Sequence, residues 1–302
     1  MPDKPPEVGL ARLLSPIFRS EAFRAKTDRP ITFVCGGTKR SLRRQFLKHM
    51  SRSTPPILSV LAEDAYPDQL IERNLRNFEA FLVDAADCVV IFVESVGSYA
   101  ETGLFSALSR TVLDKTLIVN THERSTKPSF LNLGPIPLIC RRSMFQEAIL
   151  LRRCAVSAAD ARRIAKKIIR VIPKSDPIPF QFRKNFTALE LRHQLASVYL
   201  VISLMGAGTL KQVLIVLREY FGEVREKRIA SYLAMLVGLN LLRRHHQIFY
   251  YFNRNPKILA EDRLICSLAF RPSELRLRAL EWIGKNDTRL KVFLREKLGV
   301  KL

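Results

Sequence analysis

The chain has 302 residues, 47% of them hydrophobic and 26% charged, with 50 Lys and Arg against 28 Asp and Glu, a formal charge of +22. Such a length fits two domains, and the charge exceeds what solubility needs, so a polyanionic partner is expected. The longest apolar run, Leu195 to Leu204, is too short for a bilayer and the N-terminus has no secretory pattern, so a cytoplasmic protein that does not enter membranes is expected.

Residues 8–25 carry apolar residues at helical spacing and predict a leading helix. Ile31 to Cys35 then reads as a strand ending in Gly36-Gly37, and Leu42 to Met50 as a helix. The alternation repeats. Ile57 to Leu61 is a strand, Gln69 to Ala86 a helix, Cys88 to Val93 a strand buried on both faces, Tyr99 to Arg110 a helix and Thr116 to Val119 a strand. Pro128 to Pro137 is expected as a loop and Ala158 to Val171 as a helix with a strongly basic outer face. Strands alternating with helices predict an α/β domain with a parallel sheet over residues 1–174.

Three prolines within 173–179 predict a linker. Beyond it the pattern is α-rich: helices over Leu189 to Met205, Thr209 to Phe221 and Arg225 to Val237, the last two around a glycine turn as in helix-turn-helix units. Leu239 to Arg243 and Ile248 to Phe252 flank a polar tip at Arg244-His-His-Gln247, which predicts the hairpin of a winged helix within 180–302, followed by C-terminal helices. Arg225, Lys227 and Arg228 at the start of the recognition helix, with Arg243 and Arg244 on the wing, form a candidate nucleic-acid-binding surface. A protein-binding winged helix explains the same pattern.

In open parallel sheets ligands bind beyond the carboxyl ends of the strands. Four places there carry candidate chemistry. Gly36-Gly37-Thr38 is either a phosphate-approaching turn or a turn that needs positive φ, and it matches neither the dinucleotide nor the triphosphate glycine pattern. Glu63-Asp64 is an acidic pair that either caps a helix or holds sugar hydroxyls. Glu94-Ser-Val-Gly97-Ser98-Tyr-Ala-Glu101 places Glu101 in the first turn of a helix, where the dipole would keep it ionised; a capping box from Ser98 to Glu101 accounts for the same spacing without catalysis. Asn132 and Gly134 lie in the loop after Val119, as pocket wall or as a simple turn. Five scattered cysteines read as buried thiols, and His122, His245 and His246 lack partners at ligand spacing, so no metal is expected.

Together, Phe33-Val-Cys-Gly-Gly37, Glu63-Asp64, Val90 through Ser106 with its Glu94, Gly97, Ser98, Glu101 and Gly103, and Ser129-Phe-x-Asn132-x-Gly134-Pro135 resemble the effector proteins of retron anti-phage systems. These join a nucleoside deoxyribosyltransferase-like domain to a winged-helix domain. The resemblance implies a toxin that cleaves an N-glycosidic bond, with Glu101 at the position of the catalytic glutamate and Glu94 where deoxyribosyltransferases tend to carry an Asp. An ionised carboxylate beside C1′ stabilises or traps an oxocarbenium-like centre, as in glycosidases. Asp64 would then position ribose or activate water as a second catalytic group. Gly36, Gly37, Glu63, Glu94, Gly97, Ser98 and Asn132 would bind substrate. NAD is the leading substrate and free nucleosides the second; no separate cofactor is implied. The resemblance also implies partners: a retron reverse transcriptase and its msDNA, an RNA–DNA hybrid, holding the toxin inactive, with higher-order assembly open. A nucleotide-sensing transcription regulator with a winged helix is the reading from a different class.

Overall fold

The structure, a computed structural model, describes residues 6–38, 41–50, 57–65, 75–107, 109–172, 176–251 and 264–300. They form two compact units: a sheet unit of residues 29–65 and 75–172, and a helical unit of residues 6–28 and 176–300. The chain starts in the helical unit with α1 (Pro6–Leu13), a 3₁₀ turn over Ser15–Phe18 and β1 (Phe23–Ala25). A continuous helix over 8–25 is therefore not formed. Pro16 cannot extend a preceding helix, and Glu21 sits at φ 59°, in the left-handed region. The first domain is expected over 1–174; residues 6–28 cluster with the C-terminal part of the chain.

The sheet unit runs β2 (Ile31–Cys35), α2 (Leu42–Met50), β3 (Leu58–Val60), α3 (Ala62–Ala65), α4 (Leu75–Ala85), β4 (Cys88–Phe92), α5 (Val96–Ser106), α6 (Arg110–Asp114), β5 (Thr116–Thr121), α7 (His122–Ser125), α8 (Phe130–Leu133), α9 (Pro135–Arg142), β6 (Ile149–Leu151) and α10 (Ala158–Val171). The part of the helix expected over Gln69 to Ala86 that precedes Leu75 lies outside the described residues. All five strands are parallel in the order β3-β2-β4-β5-β6. Every residue of β2, β4 and β5 is buried, as apolar runs covered on both faces require. On one face Val34, Val90, Phe92, Leu117 and Val119 pack with Phe46 of α2 and Ile164 and Ile168 of α10.

The loop expected over 128–137 is two short helices instead. The Ser129 hydroxyl accepts from the Asn132 amide to cap α8, and Pro135, which has no amide to leave unpaired, opens α9. Strand β6 has no counterpart in the sequence reading, since three residues are too few to show a period.

The helical unit continues with β7 (Ile178–Pro179), α11 (Leu191–Met205), β8 (Ala207–Thr209), α12 (Leu210–Phe221), α13 (Glu226–Gly238), β9 (Arg243–His245), β10 (Ile248–Tyr250), β11 (Ile265–Leu268), α14 (Pro272–Asn286) and α15 (Thr288–Leu298). Helix α11 is the core element, buried from His193 to Met205. Thr209 caps α12 in a box with Gln212, whose amide donates to Asp287 at 2.6 Å. Leu239 to Leu242, expected as a strand, instead folds back on α13: the Leu241 and Leu242 amides donate to the Leu236 carbonyl at 3.0 and 3.2 Å. The hairpin begins four residues later, at Arg243, and Phe252 lies outside the described residues. Part of the expected linker is also structured, because Ile178 and Pro179 pair with β1.

Strand β1 lies between β11 and β7, and its Phe23 is fully buried, stacked on Phe180 at 4.6 Å and edge-on to His193 at 5.7 Å. Phe23→Ala should therefore cost about 3–5 kcal/mol. Hydrogen exchange should show lost protection in β7, β11 and α11, with β2, β4 and β5 unchanged.

Candidate active site

Within its sheet, β2 comes first in the chain and β3 second, so the connections leave β2 and β4 in opposite directions. The crevice at such a switch point lies beyond their carboxyl ends. Gly36 follows β2 at φ 152°, and a Cβ there would lie 2.8 Å from Glu94 Oε1 and 3.1 Å from Phe92 Cβ, so the turn requires glycine. Glu94, just beyond β4, accepts from the backbone amides of Gly37, Leu42 and Arg43 at 2.9, 2.5 and 3.2 Å. Its carboxylate holds the glycine turn and caps α2 from a distant part of the chain. Both Glu94 and the Gly37 amide, expected to bind substrate, are thereby engaged with the protein itself.

Arg43 follows from the same tie. Its side chain is only 4% exposed; Nε donates to the Gly37 carbonyl at 3.0 Å, Nη1 to Glu63 Oε2 at 3.1 Å, and Nη2 to Glu63 Oε1. The two carboxylates of the 63–64 pair thus separate. Glu63 takes the bidentate pair with the buried guanidinium, whereas half-exposed Asp64 meets the outer Arg44 at 3.6 Å. Of the pair, Glu63 carries charge toward the interior, and Asp64, the expected second catalytic group, is in a surface ion pair.

The start of α5 differs from the expected capping box. Ser95 is the cap, accepting from the Ser98 amide at 3.2 Å, while the Ser98 hydroxyl accepts from the Ser95 and Glu94 amides at 2.9 and 3.0 Å. Ser98 is fully buried and Gly97 is exposed. The box is Ser95 with Ser98, which leaves Glu101 in the second turn, past the free amides.

Glu101 is therefore not held ionised by the helix dipole. Burial, then the neighbouring Glu79 carboxylate, raise its pKa to about 7; Arg43 opposes the shift and Glu63 adds to it. Its Oε2 is buried without a hydrogen-bond partner. Glu79, on α4, is itself raised by burial and by Glu63. Cys35, the last residue of β2, is pushed well up by burial and next by the Glu101 charge, so Glu101 acts at the carboxyl edge of the sheet. A carboxyl near 7 exchanges its proton at neutral pH, and once ionised it places an unneutralised charge in a medium of low dielectric. Glu79 went unseen in the sequence; the available signal was a carboxylate beside the apolar face of Phe78, Phe81 and Leu82.

The remaining expected residues separate into those engaged with the backbone and those facing solvent. Asn132 donates to the Arg124 and Lys127 carbonyls, both at 2.7 Å, and so shapes its own loop. In the helical unit Arg225 and Lys227 are exposed at the start of α13. Arg228 turns inward, its Nε donating to Gln194 Oε1 at 2.9 Å beside the Tyr232 hydroxyl, which donates to the same oxygen at 2.8 Å. On the hairpin Arg243 is exposed, whereas Arg244 donates to the His246 carbonyl at 2.7 Å and lies over the Phe249 ring. Cys35 and Cys88 are buried as expected, but Cys154 is exposed. Among the described residues no group of three His, Cys, Asp or Glu is placed to hold a metal.

The raised pKa has a consequence for stability. Between its ordinary value of 4.5 and about 7, folded Glu101 keeps a proton that the unfolded chain has lost, so stability falls as pH rises through this window. The full penalty, up to about 3 kcal/mol, acts above it. Glu101→Gln should accordingly melt higher than the parent at pH above ~8 and match it near pH ~4, as read by thermal denaturation across pH.

The family model described as "STM3845 retron effector protein" matches residues 39–244, from α2 to the hairpin of the helical unit. Over 207 residues the chain is 25% identical to the Escherichia coli "Retron Ec73 putative ribosyltransferase/DNA-binding protein", a match covering 63% of this chain and 64% of that protein. It is also 25% identical over 180 residues to the Escherichia coli "Retron Ec86 putative ribosyltransferase/DNA-binding protein", covering 54% and 57%. Neither match reaches two thirds of its relative's length. A family match over more than half of the chain, including Arg43, Glu63, Glu79, Glu94 and Glu101, places this protein in the STM3845 retron effector family.

Proposed function

We propose that the sheet unit is a nucleoside deoxyribosyltransferase-like N-glycosidase and that Glu101 is its catalytic carboxylate. The observation that carries this reading is the Glu101 carboxyl at the sheet's switch point, raised to about 7 and with Oε2 buried and unpartnered. Among the described residues nothing donates to that oxygen, an exception that calls for a functional account. Ionised Glu101 would stabilise or trap the C1′ cation as the C1′–N bond breaks and its electron pair leaves with the base. Water then adds at C1′, its oxygen going to the sugar, and its proton goes to solvent when a cationic nicotinamide leaves as the neutral ring, or to the base when a neutral nucleoside is cleaved. Glu63, Glu79 and Glu101 raise one another's charge burden, against buried Arg43, which acts on Glu63 and Glu101, and outer Arg44, which reaches Glu63 at 3.5 Å; the excess of carboxylates favours a positively charged leaving group. This supports NAD, whose nicotinamide ring is cationic, over neutral nucleosides: such a ring would also lower the Glu101 pKa and recruit its ionised form. The exposed first turn of α5 at Gly97 is suited to phosphate.

The helical unit is a winged helix in this reading, supported by its element order of α11, β8, α12, α13 and a β9–β10 hairpin, with β10 pairing β8. It would contact nucleic acid through Arg225, Lys227 and Arg243, with Arg228 and Arg244 holding structure. As a toxic effector of a retron anti-phage system, the protein would be kept inactive by the retron reverse transcriptase and its msDNA. The names of the two relatives, which join ribosyltransferase with DNA binding, agree with this pairing.

Purified protein incubated with NAD should release nicotinamide, with a rate falling as pH drops below 7, and Glu101→Gln should lower it by about 10²–10³-fold or more. Release of base from deoxynucleosides but not from NAD would replace the substrate; no release from either would sink the enzyme reading in favour of a nucleotide sensor. Separately, replacing Arg225 and Lys227 with Ala should weaken binding to a structured RNA–DNA hybrid and reduce the slope of log affinity against log salt by about 2.

A further inference from the structure

The sheet unit carries a second basic feature, away from the carboxylates. Helix α10 has five basic residues, and they divide by what they touch. Arg163 and Lys167 are tied to the protein, donating to the Leu150 and Glu147 carbonyls at 2.8 Å each, with Arg163 also paired to Asp160. Arg162, Lys166 and Arg170 are exposed, and among the described residues none of the three forms an ion pair. They recur every fourth residue, so they stand in one row with about 6 Å between successive charges. Like charges at this spacing destabilise a helix by about 0.2–0.5 kcal/mol per pair. Folding gains nothing from the row.

Beside it, between α10 and α2, lies a cavity of about 440 Å³ lined by His49, Met50, Ala158, Arg162, Lys166 and Ile169. Its floor is apolar and its rim cationic. His49 Nε2 lies 3.2 Å from the Val156 carbonyl, so the ring is fixed against the protein at the edge of the cavity.

We propose that the α2–α10 groove of the sheet unit binds a single strand of nucleic acid, with phosphates along Arg162, Lys166 and Arg170 and an unstacked base against the apolar floor. The charge row matches the spacing of consecutive phosphates in a strand. A cationic groove that follows the backbone, beside a surface that takes up unstacked bases, is how single strands are held. A duplex, whose bases are stacked inward, could not place one in the cavity. The groove belongs to the sheet unit and does not depend on the glycosidase activity or on the winged helix.

The test uses the full chain and three probes: a labelled single-stranded oligodeoxynucleotide rich in cytosine and adenine, the same strand annealed to its complement, and inorganic polyphosphate. Replacing Arg162, Lys166 and Arg170 with Ala should weaken single-strand binding more than tenfold and reduce the salt slope by about 2; Lys166→Gln alone should reduce it by about 0.7. Ile169→Gln, which makes the floor polar, should weaken the oligonucleotide and leave polyphosphate unchanged. An unaltered salt slope in Lys166→Gln and the triple variant overturns the proposal. So does a larger loss for duplex than for single strand, or indifference of the oligonucleotide to Ile169→Gln. The variant lacking Arg225 and Lys227 should keep these differences, so a failure of the winged-helix reading would leave them intact.

Discussion

Three backbone amides meeting on the Glu94 carboxylate hold the candidate site together. That convergence stops the chain after β2, starts α2, and sets the direction of Arg43. Arg43 then fixes Glu63, and Glu63 acts on both Glu79 and Glu101. Hydrogen bonds to a charged acceptor contribute about 1.5–3 kcal/mol each, enough to offset the crowding of carboxylates next to them. The arrangement is hierarchical: one anion organises backbone, one cation organises anions, and in the last carboxyl burial and repulsion outweigh the attraction of Arg43.

That hierarchy explains what the sequence made legible. Apolar runs of five or six residues, Ile31 to Cys35, Cys88 to Phe92 and Thr116 to Thr121, announce buried parallel strands because nothing polar interrupts them. Glu101 was readable from its place after such a run. What could not be read was the sharing of hydrogen bonds. Glu94 and Glu101 look alike in sequence, and only the folded chain shows that one is saturated by amides and the other is left bare. Ser98 was read as a cap for Glu101, whereas its hydroxyl closes on Ser95, three residues earlier. Glu79 enters from a helix that periodicity assigns to packing, so its charge is felt only across space.

Short elements were the other blind spot. Strands β6, β7 and β8 have two or three residues each, less than is needed to express alternation. The loop after β5 read as irregular because Pro128, Pro135 and Pro137 suggest breaks, yet proline at the first position of a helix is favourable and Pro135 uses that allowance. In the helical unit, the basic residues at the start of α13 were recognised as a group, but the polar network of Gln194 and Tyr232 claims Arg228 for the interior.

The helical unit is assembled from both ends of the chain. Strand β1 leaves the ribosome early, while its partners β7 and β11 come from residues 178–179 and 265–268. The sheet unit holds all five of its strands within residues 31–151. During translation the carboxylate-bearing half can therefore reach its native pairing while β1 still waits for its neighbours, so the order of synthesis lets the half with the candidate chemistry form before the half that carries the basic hairpin.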